Sequence, residues 1–265
     1  ELELISKFKT TSITSKLLEE NYLTKIEVLC QLGNCFMATN EIELPFEYYH
    51  NALELANKNN LSFYKAVIPS LIGSLKFATD DYDEALKYFN KALIDLQYVD
   101  IDKDNIKFNS GLVAINISQV YLKKKMLDSA QFVIEEAEKK GFFSNSFLTK
   151  TGFEISKAEF LLEEGKNQEA LDLLLKTKLV IDKEDPKLGV LSYYHLMAKA
   201  YFKLGDVNSA IQNMNLGLEI GKTVYEDYNF TEDYKFLAEL YKEQGNIEKS
   251  NVYLEKYVLY QSTID

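Results

Sequence analysis

Four stretches carry residue types that could perform chemistry, and their spacing decides whether they do. GLEIGKT (Gly217–Thr223) has the glycine, lysine and threonine of a loop that cradles phosphate on backbone N–H groups. That loop needs four residues between its glycines; here there are three, Leu216 stands where the first glycine belongs, and no strand pattern precedes it. A helix C-terminus is expected instead. DIDKDN (Asp100–Asn105) begins like a calcium loop, but its sixth position is Asn105 rather than glycine and its twelfth is Gly111 rather than glutamate. It reads as a solvated loop. The two histidines, His50 and His195, lie far apart and lack the spacing of zinc ligands. Cys30 and Cys35 are five residues apart in one expected helix, which turns them roughly 140° apart around its axis, so buried free thiols are expected rather than a disulfide. Acidic pairs such as Glu163–Glu164 read as solvated faces. No nucleophile, base and orienting group can be assembled, and the chain reads as non-enzymatic, with no cofactor or metal site.

The elements that would position any site follow from composition and register. With 46% hydrophobic and 13% aromatic residues, the 265-residue chain has ample core material. Only 3 Pro and 11 Gly leave few breaks, which favours long helices over turn-rich strands. The net charge of −11 opposes binding to phosphate backbones, and the lysine run Lys123–Lys125 is too small to reverse it. No nucleic-acid partner is expected. No apolar run reaches the ~18 residues of a membrane span, so contact with a membrane would require a flanking segment. The chain begins at Glu1 without a signal-peptide pattern, as expected for a mature or excised piece of something longer.

Small residues recur in one register: Gly33, Gly73, Ser118, Ala158, Ala198 and Ala238, in steps of 40, 45, 40, 40 and 40. Twelve residues after each come Pro45, Ala85, Ala130, Ala170, Ala210 and Ser250. Seven further on stand Ala52, Ala92, Ala137, Thr177, Gly217 and Tyr257. Between them apolar residues keep helical spacing, as in Ala85, Leu86, Phe89, Ala92 and Leu93. Asn40, Asp80, Gly165, Gly205 and Gly245 share a turn position where helices stop. Each unit is thus a helix, a turn and a second helix, with small residues where the two cross. One hairpin cannot bury its apolar face alone, so neighbours must stack.

This pattern resembles the tetratricopeptide repeat family, most clearly in DDYDEALKYFNKAL (Asp80–Leu93). The resemblance covers about residues 25 to 260 and implies an all-α, right-handed solenoid of about six helix–turn–helix repeats. The period exceeds the family's usual ~34 residues, so longer helices are expected. The proline that often closes a repeat is replaced by Asn57, Gln97, Phe142, Asp182 and Lys222. Residues 1–20 read as a capping helix or the remnant of a preceding repeat, and 21–265 as the repeat domain.

The resemblance also implies a concave face, lined by set positions of each first helix. The ninth positions are Asn34, Ser74, Gln119, Glu159, Lys199 and Glu239; the fifth include Cys30, Ser70, His195 and Lys235. Amides and hydroxyls can pair with the backbone of an extended peptide, donating and accepting at once. Asn34, Ser74, Asn116 and Gln119 are therefore expected to hold peptide backbone, with Ser70 on the same face, and Glu159, His195 and Lys199 to read polar or charged side chains. The clamp by which some family members hold acidic chaperone tails, a lysine and an asparagine in one repeat, is not formed: Asn34 is accompanied by Cys30 and Lys235 by Glu239.

In style the long repeats and the ending SNVYLEKYVLYQSTID (Ser250–Asp265) look like the sensor regions of Bacteroidetes-type regulators. That implies a protein- or peptide-binding input module, extracytoplasmic, within a larger signalling protein. The alternatives are a cytoplasmic receptor for a short signalling peptide and a plain assembly scaffold. Homo-oligomerisation is compatible with each.

Overall fold

In a computed structural model, residues 21–37, 43–143, 146–181, 190–224 and 230–261 are described. The expected capping segment 1–20, the turn residue Asn40 and Asp182 lie outside them. Among the described residues there are twelve α-helices and no strand. They are α1 (Tyr22–Met37), α2 (Glu43–Lys58), α3 (Ser62–Ala78), α4 (Tyr82–Asp95), α5 (Lys103–Lys123), α6 (Leu127–Lys139), α7 (Phe147–Glu163), α8 (Asn167–Ile181), α9 (Val190–Lys203), α10 (Val207–Val224), α11 (Thr231–Glu243) and α12 (Ile247–Gln261). The described residues fall into two compact units, one running up to Lys124 and taking in Glu136–Phe143, the other comprising Lys125–Glu135 and the residues from Ser146 on, with α6 divided between them.

The helices stop where the sequence supplies left-handed backbone. Asp80, Gly165, Gly205 and Gly245 have φ of 58°, 78°, 87° and 82°. The following N–H groups reach back to carbonyls left open at the helix end, as in Asp206 N to Tyr201 O at 2.9 Å and Asn246 N to Tyr241 O at 2.8 Å. The third repeat uses Lys125 at φ 57°, a residue type that gives no turn signal. The next helix is then often capped by a side chain: the Asp206 carboxylate accepts from Ser209 N at 3.0 Å, and Asn246 Oδ1 from Lys249 N at 3.1 Å. The five extra residues of the second step go into a 3₁₀ turn, Leu96–Tyr98, and the 21-residue α5. Here the expected loop is only half a loop: Asp102 caps α5 and residues 103–105 form its first turn.

Every small crossing residue of the register is buried, from Gly33 to Ala238, as are all six residues twelve positions on. The reason is visible in what they meet. A Cβ on Gly33 would lie 2.4 Å from the Tyr49 ring, and one on Gly73 would lie 2.8 Å from the Phe89 ring. In the first unit one core joins α1, α2 and α3 through Ile26, Tyr49, Ala52, Ile68 and Ile72. In the second, α7, α8 and α9 share Ala158, Leu174, Tyr193 and Met197, and α9 to α12 share Ala198, Met214, Leu218, Tyr234 and Leu237. Each core is therefore built by neighbouring hairpins rather than within one, as stacking requires. GLEIGKT lies at the C-terminal end of α10, where Gly217 packs on Tyr194 and Gly221 on Leu191.

Candidate functional site

The first helices of successive hairpins are tied by side chains about one repeat apart. In the first unit Tyr64 Oη donates to Glu27 at 2.8 Å, and Asn116 Nδ2 to Ser74 Oγ at 3.4 Å. In the second, Lys203 Nζ donates to the Leu162 carbonyl at 2.7 Å, and His195 Nδ1 lies 3.0 Å from Asp233 Oδ1. These ladders place the expected binding residues on two separate patches, one in each unit.

The patch of the first unit is neutral. Asn34 is exposed, and its Oδ1 accepts from the Tyr49 hydroxyl at 2.7 Å, which leaves the amide N–H₂ turned to solvent. Ser70 and Ser74 are half-buried and donate back to the carbonyls of Val67 and Ser70. Their oxygens retain acceptor capacity, and Asn116 takes that of Ser74. Asn116 and Gln119 are half-buried one turn apart on α5. Beneath this patch burial, with Glu27 adding to it, pushes the Cys30 thiol up to about 11, and burial with the Glu27 hydrogen bond pushes Tyr64 up to about 12. Cys30 and Cys35 are free, but half-buried rather than buried.

The patch of the second unit is charged. A pocket of about 240 Å³ is bordered by Glu159, Lys199, Phe202, Lys203, Phe236 and Glu239. The Phe202 and Phe236 rings meet edge to face, with centroids 5.9 Å apart, and His195 tilts against Phe236 at 5.3 Å. Glu163 is partly buried, which raises its carboxyl, but the hydrogen bond and charge of Lys125 outweigh this and hold it low. Glu159 and Lys199 thus face one pocket, and His195 stands beside it through Phe236.

Sequence reasoning missed two parts of this patch. Asp233 is buried in the first turn of α11 and orients His195; the pair is 38 residues apart and only the repeat register relates them. Phe236 forms one wall of the pocket. Among the described residues no group of histidine, cysteine and carboxylate side chains could hold a metal ion, and no helix is long and apolar enough to cross a membrane.

A family model described as tetratricopeptide repeat matches residues 70–93 and 191–220. A search of curated proteins gave no match. Among solved structures, NprR in complex with its cognate peptide NprX aligns with a TM-score of 0.67 at 14% identity, covering 97% of this chain and 73% of that one. A Rap protein complexed with competence and sporulation factor gives 0.65 at 11%, covering 90% and 77%. The signal transduction ATPase with numerous domains from Pyrococcus horikoshii, which has a tetratricopeptide repeat sensor, gives 0.63 at 17%; this chain is covered over 95% and spans 38% of that one. These likenesses concern the fold: among the described residues it is an all-helical repeat fold, in which residues 70–93 and 191–220 match the tetratricopeptide repeat.

Proposed function

We propose that the chain is a non-enzymatic module that binds an extended peptide through the first helices of its hairpins. The observation that carries this reading is the neutral patch of the first unit. Asn34, Ser74, Asn116 and Gln119 are uncharged, the three amides can donate and accept, and the Asn116–Ser74 bond ties α5 to α3. Such groups suit a peptide backbone, which offers both partners at every residue. In the second unit Glu159, Lys199 and His195 would select polar or charged side chains. NprR, whose structure holds its cognate peptide, supports a peptide as the ligand class.

The wider setting is a second part of the proposal. The sensor role named for the tetratricopeptide repeats of the Pyrococcus protein supports an input module within a larger regulator. An extracytoplasmic position belongs to that reading. The alternative setting is a cytoplasmic receptor for a short peptide. Fusion of the full gene product to a reporter active only outside the cytoplasm separates the two.

The test of binding starts from a random hexapeptide library displayed on phage and selected on the whole chain. The selected peptide is then titrated by calorimetry. Each lost backbone hydrogen bond costs about 0.5–1.5 kcal/mol. Asn116→Ala with Gln119→Ala should therefore weaken binding about ten-fold, without lowering the melting temperature. A library that yields no binder, or unchanged affinity in the double variant, rejects the site.

A further inference from the structure

The five charged residues that border the second unit's pocket follow a register: Glu159 and Glu163 on α7, Lys199 and Lys203 on α9, and Glu239 on α11. Like charges four residues apart on one helix repel, so α7 and α9 each carry a pair that groups outside the helix must offset. Two of the five are offset by the fold itself. Glu163 is paired with Lys125 at 2.6 Å. Lys203 donates to the Leu162 carbonyl at 2.7 Å, in the last turn of α7, where the helix dipole is negative. Glu159, Lys199 and Glu239 remain, two carboxylates against one ammonium. Among the described residues no ion pair engages Glu159 or Glu239. The pocket therefore lacks one positive charge.

Its aromatic lining suits a cation as well. Phe202 and Phe236 both border the pocket, and an aromatic face attracts a cation within about 6 Å of its centroid. Phe236 is held in place: His195 packs on it at 5.3 Å and is itself tied to the buried Asp233 at 3.0 Å. At about 240 Å³ the pocket is smaller than the roughly 300–1,000 Å³ of sites for drug-sized ligands, and has room for one long side chain. An acidic side chain would meet two carboxylates. An apolar one would take water from the half-buried Glu159 and replace it with nothing. A guanidinium stacks flat on a ring while its fork of N–H groups reaches carboxylates; an ammonium is a compact, strongly hydrated point charge.

We propose that this pocket seats one arginine side chain of a bound peptide, its guanidinium held by Glu159 and Glu239 against the Phe202 and Phe236 rings. This rests on the peptide-binding reading above and gives the second unit its specificity. The 265 residues include no arginine, so none of them can be the occupant.

The test selects the random hexapeptide library in parallel on the whole wild-type chain and on Glu159→Gln with Glu239→Gln. Glutamine keeps the shape of each side chain, so the melting temperature should be unchanged. On the wild type, arginine should be enriched about five-fold or more at one position of the binders, and more than lysine. On the variant it should fall to the level of the unselected library. In calorimetry, replacing the arginine of a selected peptide by glutamine should weaken wild-type binding about ten-fold or more, and variant binding less than about three-fold. Equal arginine enrichment on both proteins would assign it to the net charge of −11 and overturn the pocket. Binders without arginine would overturn this inference and leave the peptide reading standing. A library that yields no binder overturns that reading, and the inference with it.

Discussion

The second and fifth repeats solve the same packing problem with the sizes reversed. In the second, α3 supplies Gly73 and α4 fills the space with Phe89. In the fifth, α9 supplies Tyr194 and Leu191, and the glycines are on α10, Gly217 and Gly221. At its own crossing the fifth repeat pairs Ala198 with Met214, both buried. The requirement is thus on the pair: two helices can approach when one gives up volume where the other inserts it. At the crossing register the rings of Tyr49 and Phe89 meet glycine and Met214 meets alanine, while away from it the aliphatic Leu191 also meets a glycine, Gly221.

Removing the inserted side chain should have the largest effect. Phe89→Ala is expected to cost about 3–5 kcal/mol and Met214→Ala about 2–5 kcal/mol, since both leave cavities in packed cores. Thermal melts followed by circular dichroism measure the loss. Because each repeat touches only its neighbours, the transition in either variant should also broaden, as one part of the stack melts first. A sharp transition near that of the wild type would mean that these side chains do not fill the crossings.

The size exchange can be tested directly by converting one solution into the other. Gly73→Ala alone places a methyl against the Phe89 ring and should cost about 1–3 kcal/mol by overpacking. Combined with Phe89→Leu, which reproduces the Ala158–Leu174 pair of the fourth repeat, part of that loss should return. Coupling between residues in contact reaches about 0.5–3 kcal/mol. Strict additivity of the two substitutions would show that they do not share one space. In the fifth repeat Ala198→Gly has no clash to relieve and should cost only about 1 kcal/mol through helix propensity.

A smaller effect distinguishes the turns. Gly205 is at φ 87° with open space around the missing Cβ. Gly205→Ala should therefore lose about 1 kcal/mol from backbone conformation alone. Lys125→Gly in the equivalent turn should gain a similar amount, less the small contribution of its exposed ion pair with Glu163. Chemical denaturation of the two variants should move the midpoint in opposite directions.

The crossings were legible in the sequence because smallness at a fixed period leaves few explanations. Which large residue each small one receives was not, since Gly33 and Tyr49 are sixteen residues apart on different helices and only packing relates them. Lys125 escaped notice as a turn residue because lysine adopts left-handed backbone only when its surroundings impose it. On the candidate site, residue types were readable but not their partners. His195 was expected as a lone groove side chain and is oriented by Asp233. Tyr253 carries no signal of its own in the sequence, yet it stacks on Tyr241 and bonds to Asn215, joining the last two hairpins.

The smallest effect is a chemical signature of the first crossing. Cys30 is half-buried beside the Tyr49 ring's core, and burial first, then the charge of Glu27, raise its thiol from 9.0 to about 11. At pH 8 the folded chain should hold this thiol protonated and slow towards iodoacetamide, because the thiolate is the reactive form. A group whose pKa is raised on folding stabilises the fold below its unfolded value, and that contribution is lost as pH climbs from about 9 towards 11. Gly33→Ala forces the Tyr49 ring to shift and should open this hairpin locally. Cys30 alkylation, read by mass spectrometry at pH 8, should then speed up in Gly33→Ala but stay at the wild-type rate in Ala198→Leu, whose damage lies in the other unit. Equal acceleration in both variants would mean that the repeats open together, and the contrast between the two crossings would be one of shape without consequence for local stability.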